Sequence, residues 1–312
     1  MTSSASSSDV DLEALGRSVV KLRSVVPEDA STAGILGKER IGNGIVIDPD
    51  GLTLTIGYLI AEASDVWLTA VRGREVAGHA LAYDPVTGFG LVLPLEKLPV
   101  PPLPFGSPEA LDAGGKGYVL SCPEFSKPQS VQVFARREFA GAWEYLLDRA
   151  IFTIPAHPHW SGAALIDQRG GLIGVGSLLV RELVSGEETN ANMFVPIDLL
   201  QPILEDLRTR GRAVRQSRPW LGVYAVEVSG KVYVTGTAEG SPARRADIRE
   251  GDLISHVAVH EVHNVAEFYR RLWDLGPAGS DVPLTLLRSG TRLNLTVHSI
   301  DRADNFKRPQ AH

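Results

Sequence analysis

Residues 42–51 read Gly-Asn-Gly-Ile-Val-Ile-Asp-Pro-Asp-Gly, an apolar run that ends in a turn sequence. A second apolar run, residues 52–55, follows at once, and two such runs around a Pro/Asp/Gly turn predict a β-hairpin. Further short apolar runs broken by turn residues continue to about Pro196, among them 131–134 and 172–178. Many short strands of this kind indicate an all-β barrel or sandwich.

The composition of the whole chain limits what it can be. Its 312 residues suffice for two domains, and 44% hydrophobic with 22% charged residues excludes a collagen-like, coiled-coil or largely disordered protein. The net charge of −6, without a basic block, predicts no nucleic-acid partner. The single cysteine, Cys122, excludes an intrachain disulfide and a zinc site built on cysteine pairs. The longest apolar run, near 170–180, is too short to span a bilayer, so we expect no membrane insertion.

The first ten residues are serine-rich and lack both a basic start and an apolar core. They therefore do not resemble a signal peptide, and we predict a disordered lead at 1–8 and a cytoplasmic location, with a periplasmic one as the alternative.

The pattern changes after Pro196. Apolar residues recur at helical spacing through 196–210, and Gly211 is a typical helix end. Further short strands follow between 221 and 298, with one helix predicted at 264–275 behind an Asn264 cap. We accordingly divide the chain into a disordered lead (1–8), a first domain (9–210), a linker (211–217), a second domain (218–301) and a C-terminal tail (302–312).

Six segments together resemble the HtrA/Deg family. They are 18–20 (Ser-Val-Val), 42–51, 194–198 (Phe-Val-Pro-Ile-Asp), 219–223 (Pro-Trp-Leu-Gly-Val), 240–243 (Gly-Ser-Pro-Ala) and 251–254 (Gly-Asp-Leu-Ile). The resemblance runs from about residue 12 to residue 300. It implies a fold dominated by β-structure, in which a trypsin-like double six-stranded β-barrel precedes a PDZ domain, a β-sandwich with helices.

The segments that hold the family's catalytic triad differ here. Residues 55–60 read Thr-Ile-Gly-Tyr-Leu-Ile, which places Tyr58 where the family has its histidine. Residues 87–91 read Thr-Gly-Phe-Gly-Leu, which places Gly88 at the aspartate position. Ser161 remains at the nucleophile position. A phenol, with a pKa of about 10, cannot take a serine proton at neutral pH as imidazole does, and glycine cannot orient a base.

His159 stands where the family has the glycine whose amide helps to form the oxyanion hole. A side chain there is expected to deform or fill the hole. The triad positions Tyr58, Gly88 and Ser161, together with His159, therefore predict a catalytically inactive pseudoprotease that is not an enzyme and uses no cofactor.

Two alternatives stay open. Ser161 could act with a relocated base such as His157, His159 or His79, which would make the chain an unconventional serine endopeptidase. Histidines could also bind a metal, although His157 and His159 supply two ligands at most. His256, His260 and His263 lie in a predicted strand and turn, where we expect histidines to be exposed surface residues that bind no metal.

The PDZ domain is expected to carry the function. PDZ domains bind an extended peptide by β-addition, with the terminal carboxylate held by amides of the entry loop. By resemblance, the peptide-binding residues are Trp220, Leu221, Gly222, Val223, Val265, Phe268 and Leu272. The implied partners are peptide or protein C-termini, with the chain acting as scaffold, adaptor or regulator. The family commonly forms trimers, but residues 10–22 offer no aromatic anchor, so a homo-oligomer is only a possibility that the resemblance raises.

Overall fold

The computed structural model describes residues 10–107, 111–184 and 186–307. The predicted disordered lead (1–8) and the last five residues of the predicted tail lie outside these ranges.

A closed six-stranded barrel forms the first part of the fold, in the order β1-β2-β3-β6-β5-β4. Its hairpin β2–β3 is the one predicted at 42–55, with Ile45 paired to Leu54 and Val46 to Thr53. Burial alternates along β1, because successive side chains of a strand point to opposite faces. The strands and helices of this part are α1 (Leu12–Gly16), β1 (Val19–Val25), α2 (Ala33–Leu36), β2 (Glu39–Val46), β3 (Thr53–Ile56), β4 (Asp65–Thr69), β5 (Glu75–Tyr83) and β6 (Phe89–Pro94).

A second closed barrel follows, in the order β10-β11-β12-β9-β8-β7. Its strands are β7 (Lys116–Leu120), β8 (Gln129–Gly141), β9 (Tyr145–Ile154), β10 (Ala164–Ile166), β11 (Leu172–Val184) and β12 (Glu187–Pro196). β9 pairs with β12 only through residues 151–153, while its pairing with β8 continues to Gly141 and Tyr145. The outer half of the β8–β9 hairpin therefore extends past the barrel, and we call residues 141–145 the hairpin tip.

The region predicted as one helix, 196–210, is divided. A 3-10 turn covers Ile197–Leu199, and an α-helix, α3, covers only Leu204–Arg210. Pro202 explains the interruption, since proline has no amide hydrogen to donate and disfavours helical backbone in the residue before it. Gly211 ends α3 in a left-handed conformation, with φ +69, as predicted.

The third part is a sheet in the order β13-β14-β15-β17-β18, with β16 paired to β15. Its helix α5 starts behind Asn264, whose side chain accepts the amide of Glu267 at 2.7 Å, so the predicted cap is confirmed. The elements are β13 (Val223–Val228), β14 (Lys231–Thr237), α4 (Pro242–Arg245), β15 (Leu253–Val257), β16 (His260–Glu261), α5 (Val265–Trp273), β17 (Asp281–Arg288) and β18 (Thr291–His298).

After β18 the chain returns to the first barrel. The ring of Phe306 lies 5.6 Å from that of Tyr83, and the Lys307 amide donates to Glu62 at 2.8 Å. Glu62 is 8% exposed and also accepts from Thr32, next to α2. The C-terminal segment 302–307 thus ties the third part of the fold to the first. In the described part of the chain, every helix falls short of the length and apolar character that crossing a bilayer requires.

Candidate functional site

The loop that carries Ser161 lies between β9 and β10, and Asn43 of β2 holds it. The Asn43 amide donates to the Ser161 carbonyl at 2.8 Å, and its side chain donates to the carbonyls of His159 and Ser161, each at 2.9 Å. Asn43 is almost fully buried, so these bonds are protected from competition by water. The β2–β3 hairpin, which carries Asn43, therefore positions Ser161.

Tyr58, in the turn after β3, contacts the serine directly. Its hydroxyl lies 2.8 Å from Ser161 Oγ and 2.8 Å from the Ser177 carbonyl oxygen. Because a carbonyl only accepts, the phenol proton belongs to the bond with Ser177, and the Ser161 hydroxyl donates to the phenol oxygen. Burial raises the pKa of Tyr58 to about 12, so the phenol is neutral at pH 7.

Gly88 lies beside this pair but contributes only backbone. Its carbonyl accepts the amide of Gly57 at 2.7 Å. Its φ of +86 favours glycine, and a Cβ there would lie 2.9 Å from the hydroxyl of Tyr145. Tyr145 in turn donates to the Thr87 carbonyl at 2.7 Å. The space beside Gly88 is thus occupied by a tyrosine from the second barrel.

His157 and His159 interact with each other through backbone and ring. The His159 amide donates to Nδ1 of His157 at 3.1 Å, and the His159 ring stacks on Phe125 with centroids 5.2 Å apart. Burial, followed by the nearby His159, lowers the pKa of His157 to about 4, so His157 is neutral at pH 7. Since Nδ1 accepts, the ring proton is on Nε2, which is buried and has no hydrogen-bond partner among the residues that the structure describes.

Among the described residues, no contact supports a histidine as the base for Ser161 or as part of a metal site. Over the described ranges, the side-chain bond of Ser161 Oγ is to Tyr58, and no histidine side chain hydrogen-bonds to it. Those same ranges contain no group of three or more His, Cys, Asp or Glu side chains placed to hold a metal ion.

At the entry to the PDZ domain, three successive amides converge on one carboxyl group. The amides of Leu221, Gly222 and Val223 donate to Oε1 of Glu144 at 3.2, 2.6 and 2.9 Å, and Leu221 is also 3.2 Å from Oε2. Gly222 has φ +76, and a Cβ there would lie 2.3 Å from that of Ser241, so the loop requires glycine at this point. The amides of this loop therefore bind a carboxyl group, that of Glu144 in the hairpin tip.

The rest of the hairpin tip lies along the groove between β13 and α5. The Ala225 amide of β13 donates to the Ala142 carbonyl at 2.9 Å. From α5, the Tyr269 hydroxyl donates to the Gly141 carbonyl at 2.7 Å and accepts the Glu144 amide at 3.0 Å. The tip is thus bound by its backbone on both sides of the groove.

Glu144 is 5% exposed, and its charge is balanced between opposing effects. Burial raises the pKa of Glu144 to about 7, while the three amide donors and the nearby Arg302 lower it. Arg302 also donates to the Trp143 carbonyl at 3.3 Å, so it lies beside the same tip.

The residues predicted to bind peptide fall into three groups. The amides of Leu221, Gly222 and Val223 form the carboxyl site, whereas Trp220 pairs through its backbone with Ile300. Val265, Phe268 and Leu272 of α5 are buried in the core of the PDZ domain. The α5 residue that contacts the hairpin tip is Tyr269, which sequence reasoning missed. Helical periodicity indicates which face is apolar but not which hydroxyl reaches a neighbouring domain, and Glu144 is 77 residues from Leu221 along the chain.

A cavity of about 600 Å³ connects the two regions. Tyr58 and Trp160 line it near Ser161, Gly222 lines it at the PDZ entry, and Trp143 of the hairpin tip and Phe306 lie between them. The serine loop and the PDZ loop therefore face one shared, mostly apolar space to which several aromatic side chains contribute.

Comparison with known proteins follows the same two-part organisation. Residues 42–175 match the family model of the trypsin-like peptidase domain, and residues 219–298 match that of the PDZ domain. The probable periplasmic serine endoprotease DegP-like of Halomonas elongata is 25% identical over 288 residues, covering 86% of this chain and 58% of the relative. The chain is HtrA/Deg-like. The putative serine protease HhoA of Synechocystis sp. is also 25% identical, covering 83% of this HtrA/Deg-like chain and 70% of the relative.

Solved structures agree on the fold. The HtrA-type protease AlgW with decapeptide has a TM-score of 0.53 at 19% identity, covering 94% of the HtrA/Deg-like chain and 99% of AlgW. The serine endoprotease from Yersinia pestis has the same TM-score at 18% identity, covering 94% of this chain and 99% of its own. The prediction of a trypsin-like double barrel followed by a PDZ domain is confirmed.

Two predictions are contradicted by these relatives. The expectation that the HtrA/Deg-like chain is not an enzyme is wrong, because the relatives are named serine endoproteases or serine proteases. The predicted cytoplasmic location is also wrong, because curated relatives are named periplasmic. The chain spans about three-fifths of the length of the first of these relatives.

Proposed function

We propose that the chain binds the free carboxyl terminus of a peptide or protein in the groove between β13 and α5 of its PDZ domain. The convergence of the Leu221, Gly222 and Val223 amides on a single carboxyl group supports this most directly, since such a cluster of donors is a specific receptor for a carboxylate. The Ala225 amide adds a backbone donor for an extended segment. As a scaffold, adaptor or regulator, the protein would use this groove to select its partners.

The test compares a peptide that has a free carboxyl terminus with its C-terminal amide. Calorimetry on the full chain with octapeptides ending in Ala-Trp-Val, Ala-Trp-Leu and Ala-Trp-Phe should give binding for the free acids and at least about tenfold weaker binding for the amides. These endings copy Ala142 and Trp143 and place a terminal carboxylate where Glu144 supplies its own. Equal affinity for acids and amides would overturn the proposal.

A second candidate function is peptide-bond hydrolysis at Ser161, which the names of the relatives favour. In this reaction Ser161 Oγ forms a bond to the substrate carbonyl carbon, and its proton passes to the Tyr58 oxygen 2.8 Å away. Tyr58 then returns the proton to the leaving amine as the peptide C–N bond breaks. A water molecule attacks the resulting Ser161 ester and gives a proton to Tyr58, and that proton passes to Ser161 Oγ as the acid product leaves. Only the phenolate can accept that proton, because the neutral phenol already holds one.

Hydrolysis by this route should therefore depend steeply on pH. With a Tyr58 pKa of about 12, the phenolate fraction grows about tenfold per pH unit up to that value, so casein cleavage should rise by about a hundredfold from pH 7 to pH 9. Ser161→Ala and Tyr58→Phe should each abolish it. A rate that levels off near pH 7 would point to a different base, and no cleavage at any pH would remove hydrolysis as a function.

Two further properties stay predictions. A periplasmic location, which the relatives' names support, is tested by cell fractionation. A homo-oligomer is tested by sedimentation of the purified chain.

A further inference from the structure

We propose that Glu144 is an internal competitor for the PDZ groove, so that a peptide carboxyl terminus binds only after the hairpin tip has left it. This proposal rests on the proposed function, because it names what a peptide ligand must displace.

The hairpin tip reproduces the contacts that a bound peptide needs. Its carboxyl group takes the amides of the entry loop, and the carbonyl of Ala142, two residues earlier, takes the amide of Ala225, two residues after Val223. The tip therefore runs antiparallel to β13, as a strand added to the edge of a sheet does. Glu144 supplies the carboxyl group from its side chain because its own backbone continues into Tyr145 of β9.

A peptide cannot share the groove with this tip. All three loop amides already donate to Glu144, and each N–H has one hydrogen to give. Ala225 is likewise engaged by Ala142. A second carboxylate at this loop would be desolvated without donors, which is strongly unfavourable.

Contacts outside the carboxyl site hold the tip in place. Tyr269 bonds to Gly141 and Glu144 from the α5 side. Arg270, the next residue of α5, forms ion pairs with Glu138 of β8 and with Asp148 of β9, the latter at 2.9 Å. The arrangement with the tip in the groove, which we call closed, is thus held through both strands of the hairpin. A peptide binds only when the tip has left the groove, in the open arrangement, so its apparent affinity is its intrinsic affinity multiplied by the fraction of molecules that are open.

The experiment measures binding of the fluorescein-labelled Ala-Trp-Val, Ala-Trp-Leu and Ala-Trp-Phe octapeptides by anisotropy. Glu144→Ala removes the internal carboxyl group and should bind the free-acid peptides at least about tenfold more tightly than the native chain. Glu188→Ala is the matched control, since it removes an exposed glutamate from β12 and should behave as the native chain does. C-terminal amides should bind neither variant tightly.

A measurement on the native chain covers the case in which Glu144→Ala does not fold. Saturating peptide should increase hydrogen exchange at the amides of Glu144 and the neighbouring tip, while the amides of 221–223 stay protected by the new carboxylate. Equal peptide affinity in the native chain and Glu144→Ala, or an unchanged exchange rate at the tip on binding, would overturn internal competition and leave the groove's proposed function intact. Failure of all free-acid peptides to bind Glu144→Ala would overturn the proposed function itself.

Discussion

Glu144 carries a carboxyl group whose protonation state differs between the closed and open arrangements. When the tip is closed, burial raises its pKa to about 7, whereas an exposed glutamate has a pKa near 4.5. The groups that face it are Arg302, Tyr269 and Tyr224. Because the pKa is raised in the closed form, that form is favoured when Glu144 is protonated and loses stability as the pH rises from about 4.5 to about 7.

Peptide binding should therefore strengthen with pH in this window. The closed form loses at most about 1.4 kcal/mol per pH unit, so affinity measured from pH 5 to pH 7 should increase by up to about tenfold per unit and then level off. Glu144→Gln keeps an accepting oxygen but does not titrate, and its affinity should be flat over the same range. An affinity in the native chain that falls toward pH 7 would contradict this account of Glu144.

At the scale of elements, local sequence signals predict individual strands and helix ends better than the contacts between elements. The β2–β3 hairpin and the Asn264 cap of α5 were predictable because each depends on neighbours within a few residues. The prediction of a single helix over 196–210 is wrong, because Pro202 interrupts the helix that the apolar periodicity indicates. The occupation of the PDZ groove by the hairpin tip could not be predicted, because no local pattern records a contact between β8–β9 and β13.

The hydroxyl of Tyr269 links the hairpin tip to α5, so its removal should change both the stability of the protein and its affinity for peptide. Tyr269→Phe leaves the Gly141 carbonyl and the Glu144 amide without that partner, so we expect the free energy of unfolding to fall by about 1–3 kcal/mol. Peptide affinity should increase, since the closed tip is weakened. Urea unfolding and anisotropy measure the two effects.

Tyr233→Phe serves as the control, because it removes a hydroxyl from β14, away from the tip. If Tyr269→Phe unfolds like the native chain and binds peptide no better, Tyr269 does not hold the tip.

At the scale of the whole molecule, the described residues show two larger contacts between the PDZ domain and the barrels, besides the ion pairs of Arg270 with Glu138 and Asp148. One is the hairpin tip in the groove, and the other is the segment 302–307, which reaches Glu62 and Tyr83 of the first barrel. The cavity of about 600 Å³ is lined by a residue of each contact, Trp143 of the hairpin tip and Phe306. Its walls come from both barrels and the PDZ domain, so its shape depends on how firmly these two contacts hold.

Removal of residues 303–312, which keeps Arg302 beside the hairpin tip, should loosen the PDZ domain from the barrels. Without Phe306 and the Lys307 amide, one of the two contacts is lost, and the linker at 211–217 should be cleaved several-fold faster in limited trypsin digestion. Removal of 308–312 alone keeps both groups and should leave the cleavage rate unchanged. Equal rates in the two truncated chains would show that the segment does not hold the domains together.

The side chain of Asn43 has a consequence for how the protein folds. It closes a loop of 79 residues through the amide of Cys122 and one of 118 residues through the carbonyl of Ser161. Contacts so distant in sequence form late, because the entropy lost in closing such loops comes before any stabilisation from the contact. During synthesis the Asn43 bond to Ser161 can therefore form only after three of the six strands of the second barrel, β7, β8 and β9, have been made.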